Sequence, residues 1–121
     1  MFYYRVYSHV LESNEPIPEL LSAHPGVAPD LRICFSALPG GGSRPEYTLR
    51  LVSQYRLACG EPRAYLYEAS TAYVLRHTHV ADFELSKSGQ EVDVHLWKGA
   101  ALEEMRLFLL GGVLSFVLEL R

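Results

Sequence analysis

Three features of the sequence predict an α+β fold: a mostly antiparallel β-sheet with one long C-terminal apolar helix packed on a face. Short segments alternating apolar and polar residues follow one another from residue 2 to about 97, divided by proline- and glycine-rich breaks. One break, Ser88-Gly89, lies at the centre of a hairpin whose register its own side chains dictate. Beyond Lys98-Gly99 the alternation gives way to a long apolar run of helical character. The expectation is about five to seven strands across residues 2–97 and a helix across about 101–120, in a single domain spanning 1–121.

Phe2 to Leu11 mixes aromatic and β-branched residues and opens the sheet, with Phe2, Tyr4 and Val6 on one face and Tyr3, Arg5 and Tyr7 on the other. Pro16 and Pro18 remove two backbone donors and impose a turn or an edge, under which Leu20 and Leu21 are expected to anchor. A second breaker runs from His24 to Asp30. Leu31-Arg32-Ile33-Cys34-Phe35 then alternates with Leu31, Ile33 and Phe35 inward. Leu38 to Pro45, with its Gly40-Gly41-Gly42 triplet, reads as the most flexible stretch. Tyr47 to Leu51 alternates again, Cys59-Gly60-Glu61-Pro62 is a turn, and Ala64–Tyr67 and Tyr73–Arg76 are two more strands.

With Ser88-Gly89 as a two-residue loop, Leu85 faces Val92 and Phe83 faces Val94 on one side of the hairpin. Glu84 opposite Asp93 and Asp82 opposite His95 fall on the other side, so a one-residue slip would set apolar residues against charges. The helix begins at Ala101-Leu102-Glu103-Glu104-Met105, with acids near its positive N-terminal end. From Leu107 to Leu118 only Gly111, Gly112 and Ser115 interrupt large apolar residues. A surface helix apolar around most of its circumference needs cover beyond one sheet face, and Gly111 and Gly112 would admit a second backbone. The run falls short of the ~20 residues that a bilayer span needs, so no membrane partner is expected.

Composition excludes several classes. The 121 residues are 49% apolar and 21% charged, which rules out disordered and collagen-like chains. A net charge of -3 supplies no basic field, so nucleic acid is not an expected partner, although eight tyrosines and interspersed arginines could offer stacking surfaces. Cys34 and Cys59 form no CxxC and read as buried or half-buried free thiols. Met1 leads straight into a strand with no signal peptide, and together these predict a cytoplasmic protein.

Each candidate for chemistry has a plainer reading. Gly40-Gly41-Gly42-Ser43 is followed by Arg44-Pro45, where a phosphate loop needs Lys and Ser or Thr entering a helix, so it reads as a connector. His77-Thr78-His79 could hold a metal with His95 or Asp82 as third ligand, yet the spacing alone favours two surface histidines beside a turn. Asp82 opposite His95 could orient an imidazole as in a triad, but no nucleophile accompanies it and a surface cross-strand pair is expected. No catalytic, cofactor-binding or metal-binding residue is therefore assigned, and the chain is not expected to be an enzyme by itself.

Tyr4-Arg5-Val6-Tyr7 with Glu15-Pro16-Ile17-Pro18-Glu19-Leu20, Asp30-Leu31-Arg32-Ile33, and Tyr73–Arg76 through Val80–Leu85 to Gly89–Val92 resemble the N-terminal region of bacterial HPr kinase-like proteins. Arg106 to Leu114 is similar to the apolar helix that leads into that family's kinase core. His77-Thr78-His79 departs from the family's apolar-Pro-Gly turn at this place. In the family a P-loop serine-kinase core follows, and the present chain ends at Arg121, where that core would start. The resemblance implies a non-catalytic accessory domain for protein-substrate recognition, assembly or regulation. Its expected partner, a second copy, a C-terminal kinase domain or a partner protein, would bind the helix through Leu109, Leu110, Val113, Phe116 and Val117. The alternative is a stand-alone small-ligand or peptide-binding protein using its tyrosine-rich face or a sheet edge near Phe2–Val6.

Overall fold

In the computed structural model, which describes residues 1–24, 26 and 28–121, the alternating segments form one nine-stranded sheet in the order β3-β1-β2-β4-β9-β8-β7-β6-β5. The strands are β1 (Phe2–Val6), β2 (His9–Ser13), β3 (Leu21–Ser22), β4 (Leu31–Phe35), β5 (Thr48–Val52), β6 (Ala64–Glu68), β7 (Ala72–His77), β8 (Ala81–Ser86) and β9 (Glu91–Leu96). The α+β class holds, but the sheet is mixed rather than mostly antiparallel: β4 runs parallel to both β2 and β9. The reason lies in the connections. Residues 14–30 carry the chain from the end of β2 back to the start of β4, and the β5–β8 meander intervenes before β9. Pro25 and Val27 of the second breaker lie outside the described residues.

The β8–β9 hairpin has the register its side chains dictate, with Asp82 opposite His95, Phe83 opposite Val94, Glu84 opposite Asp93 and Leu85 opposite Val92. Gly89 closes it at φ +73°, and a Cβ there would meet the Val117 carbonyl oxygen at 2.9 Å, so glycine is required by both conformation and space. On one face Leu11, Leu31, Ile33, Phe83, Leu85, Val92 and Val94 form a buried layer. Ile17, between the two prolines, is fully buried and donates its N–H to the Tyr4 hydroxyl at 2.7 Å. It is the anchor of this turn, because Leu20 is only half-buried and Leu21 is 78% exposed.

The C-terminal helix consists of α1 (Leu102–Phe108), a π-helical turn (Leu109–Val113) and α2 (Leu114–Glu119), joined without a break in helical dihedrals. Met105, Leu109, Val113 and Val117 lie four residues apart and are all buried on the sheet. In a regular α-helix that spacing drifts by about 40° per step. The wider π turn takes up part of this drift and keeps the row on one face. Phe108 stacks on His77 at 4.0 Å and Phe116 meets Tyr73 edge-on at 5.5 Å, while Arg106 donates to Glu19 on the other side at 2.8 Å.

This packing corrects the expected interface. Leu109, Val113 and Val117 are fully enclosed by the chain's own sheet, and Leu110 and Phe116 are half-buried. The outward face carries Glu103, Glu104, Gly111, Gly112, Ser115 and Glu119, with Leu107 its one strongly exposed large apolar side chain beyond the first turn. The apolar run therefore needs less foreign cover than its composition implies, because its small residues are the ones that face outward. No helix among the described residues is long and apolar enough to cross a membrane.

Candidate functional site

The sheet face opposite the helix is polar, and Asp82 lies at its centre with no solvent exposure. Arg76, its cross-strand neighbour on β7, donates from Nε to Oδ1 and from Nη2 to Oδ2, both at 2.9 Å. Trp97 Nε1 donates to Oδ1 and the Gly41 amide to Oδ2, each at 3.0 Å. Burial by itself would raise the pKa of Asp82, but the bonds from Arg76, Trp97 and Gly41 outweigh it and hold the carboxyl below its ordinary value. Burial also opposes the charge on Arg76, yet Asp82 and the phenol rings of Tyr67 and Tyr65 raise its pKa.

These bonds pin the Gly40-Gly41-Gly42 segment across the sheet, so the stretch expected to be most flexible is clamped. A Cβ on Gly40 would collide with the His95 carbonyl oxygen and approach Trp97 Cδ1 to 2.7 Å. Gly41 stands at φ +86° against the indole. Arg76 Nη2 donates to the Gly42 carbonyl at 2.6 Å and stacks over Trp97 and Tyr67. Further along, Tyr47 donates to Glu84 Oε2 at 2.9 Å, and burial followed by this bond pushes its pKa up to about 12. His95 lies 3.4 Å from the same carboxylate. Burial, then the charge of Glu84, raises the pKa of Asp93.

Chemically this is a closed clasp. Both Asp82 oxygens are occupied by donors, no serine or cysteine approaches them among the contacts described, and no open position faces solvent. Asp82 and His95 are cross-strand neighbours but not an exposed surface pair: Asp82 is bonded by Arg76 and Trp97, while His95 Nε2 is buried beside Glu84 without a hydrogen-bond partner. The glycine triplet serves the clasp by letting backbone approach an indole, in line with the connector reading. Partner residues at 41, 76 and 97 are too far apart in the chain for spacing to reveal them, although a glycine triplet and one tryptophan in an acidic chain were available signals.

The other candidate residues are dispersed. His77 ends β7 on the helix face, sandwiched by Phe108 and Phe83, and its buried Nε2 has no hydrogen-bond partner. Burial lowers its pKa. His79 lies in the following turn at φ +65°, so the two histidines do not share a strand face and only His79 is on the surface. Cys34 and Cys59 are both free and exposed, contrary to the buried or half-buried thiols expected.

Two surface features remain open. The first is β5, the sheet's terminal strand, all five of whose residues are exposed, including Leu49, Leu51 at 65% and Val52. A bulge at Arg50 interrupts its pairing with β6, and the Arg50 guanidinium turns to Glu68 at 2.8 Å. On the helix side Leu51 continues into Leu66, Leu75 and Phe116, around a shallow depression of about 400 Å³. The opposite edge is the two-residue β3, which pairs with Tyr4 and Arg5, so the expected peptide edge at Phe2–Val6 is partly covered. The second feature is a crevice of about 680 Å³ at the C-terminal ends of the parallel strands β4 and β9, lined by Pro16, Pro18, Phe35, Leu96, Leu102 and Met105 with Glu15 and Arg106. It contains no tyrosine and lies beside the helix. No protein-family model matches the chain, and comparisons with curated proteins and with solved structures find no match.

Proposed function

We propose that this chain is a non-catalytic protein-interaction module, the N-terminal accessory domain of an HPr kinase-like serine kinase, and that its part is assembly through the β5 edge. The family assignment rests on the sequence resemblance described above. The interaction reading rests on one observation: a five-residue terminal strand, wholly exposed, that presents Leu49, Leu51 and Val52 together with unpaired backbone groups. Such an edge is a template for a further strand, and soluble proteins ordinarily blunt it with lysine, proline or a covering loop. Here Arg50 is turned away to Glu68 and only the bulge interrupts the edge.

The occupant proposed is β5 of a second copy, antiparallel about a two-fold axis through Leu51. This register sets leucine against leucine and keeps the two Arg50 side chains from facing each other. Light scattering of the purified chain should then give a dimer, and Leu51→Lys should give a monomer with an unchanged circular dichroism spectrum. A wild-type chain that stays monomeric up to its solubility limit refutes self-pairing.

A second reading, a small-ligand-binding protein, is favoured by the crevice beside Leu102. Its volume lies within the range of ~300–1,000 Å³ usual for ligand pockets, and its walls are largely apolar. Displacement of a bound apolar dye by Leu102→Trp is the expected result. Dye binding unaffected by that change would count against this reading.

A further inference from the structure

The turn at residues 57–62 and the β7–β8 turn bring three different metal-ligating side chains to one point on the surface. The ligand atoms of Cys59, Glu61 and His79 all lie within 4.8 Å of one another, and His79 Nε2 is 3.6 Å from Glu61 Oε2. From these positions we infer that Cys59, Glu61 and His79 form a binding site for a borderline divalent cation of the zinc class.

The local chain holds the donors in place. Gly60 adopts φ +92° between Cys59 and Glu61, which folds the turn tightly and lets both side chains leave it close together. The turn is fastened by bonds from Leu57 N–H to the Glu61 carbonyl at 2.8 Å and from Arg56 Nη1 to the Gly60 carbonyl at 2.8 Å. It is tied to the β7–β8 turn by Thr78, itself buried, whose hydroxyl donates to the Pro62 carbonyl at 2.6 Å and whose N–H donates to the Arg63 carbonyl at 3.0 Å. Thr78 is adjacent to His79, so the same fastening positions the imidazole. The His79 ring also packs edge-on against Trp97 at 5.2 Å, which limits its rotation.

The donor set selects the ion. A thiolate and an imidazole are poor ligands for magnesium or calcium, which take oxygen, and suit zinc. A tetrahedral zinc with bonds of ~2.0–2.3 Å places its ligand atoms about 3.5 Å apart. The His79–Glu61 pair already has that separation, and a side-chain rotation of Cys59 closes the remainder. On binding, the Cys59 thiol loses its proton to solvent and the sulfur donates its electron pair to the cation. Thiolate and carboxylate together balance the two positive charges, and water completes the tetrahedron.

Cobalt(II), which reports thiolate ligation by a near-ultraviolet charge-transfer band, is the first probe, with zinc competing it away. The expected result is saturable binding of one ion per chain with that band and a change in Trp97 fluorescence. Cys59→Ser should abolish the band, His79→Ala and Glu61→Ala should each weaken binding at least tenfold, and Cys34→Ser should leave it intact. All four positions are exposed, so the variants should keep the wild-type circular dichroism spectrum. The inference is overturned if no saturable binding occurs, if the band survives Cys59→Ser, or if His79→Ala binds as tightly as the parent.

Discussion

Replacing Asp82 with alanine removes the centre of the polar clasp and leaves its donors without an acceptor. Arg76 would keep its bond to the Gly42 carbonyl and its stacking on Trp97 and Tyr67, but lose both bonds to carboxylate. Trp97 Nε1 and the Gly41 amide would each lose a partner. Breaking a buried ion pair by deleting one member costs about 3–5 kcal/mol, since the other charge is left desolvated. The Arg76 side chain retains 13% exposure and one hydrogen bond, which places this case near the lower figure. A loss of about 3 kcal/mol is a large fraction of the ~5–15 kcal/mol that stabilises an ordinary domain. At about 4 °C per kcal/mol it lowers the melting temperature by roughly 12 °C. Urea unfolding followed by fluorescence suits the question, because the chain's one tryptophan is part of the clasp. Native Asp82→Ala should already show red-shifted emission as the glycine segment lifts from the indole. Acid should act in the same direction on the parent. The folded pKa of Asp82 lies below its unfolded value of about 3.9, so its contribution is complete above that pH and is lost as pH falls through the folded pKa. If Asp82→Ala lost less than about 1 kcal/mol and kept the parent emission spectrum, the clasp would not be what holds the segment down.

Three further substitutions probe the helix and its contact with β7. Leu109→Ala, at a fully enclosed position, should cost about 2–5 kcal/mol in urea unfolding, whereas Leu107→Ala, 74% exposed, should stay within about 0.5 kcal/mol; similar costs would mean that the helix presents another face to the sheet. The folded pKa of His77 lies below its unfolded value of about 6.5, so stability is complete above that value and falls as pH drops through it toward the folded pKa. His77→Phe, which keeps a ring against Phe108, should flatten the stability profile in that window, and a profile identical to the parent's would show that His77 does not titrate there.

The parts of the fold legible in the sequence are those whose partners are near in the chain. The hairpin is fully determined by facing side chains: sliding Phe83 or Leu85 by one residue sets them against Asp93 or His95, so periodicity alone fixes the pairing. The inward set Leu31, Ile33 and Phe35 follows in the same way. Strand direction does not. Alternation along Leu31–Phe35 is the same whether the neighbour runs parallel or antiparallel, and the outcome depends on where residues 14–30 return the chain. Asp82 shows the same limit in the site. Its local setting, opposite His95 on a polar face, reads as solvated, and its burial comes from residues about 40 positions upstream and 15 downstream. His79 likewise meets Cys59 and Glu61 through the β6–β7 pairing, which Thr78 extends to Arg63 and Pro62.

The helix illustrates how a correct local observation can point to the wrong surface. Leu107 to Leu118 is as apolar as its composition states, but hydrophobicity summed over a segment ignores the size of the residues on each face. With Gly111, Gly112 and Ser115 outward, the large side chains other than Leu107 fit onto one side, and a π turn keeps the four-residue spacing of the buried row in line. The helix then covers the central strands and reaches β7 through Phe108 and Phe116. Leu51 and Leu66 lie at its margin, around a depression that it borders only with Phe116, since nine strands make a sheet wider than one helix can cover. The apolar surface left uncovered therefore lies on the sheet rather than on the helix, at the edge where β5 ends the hydrogen-bonded ladder.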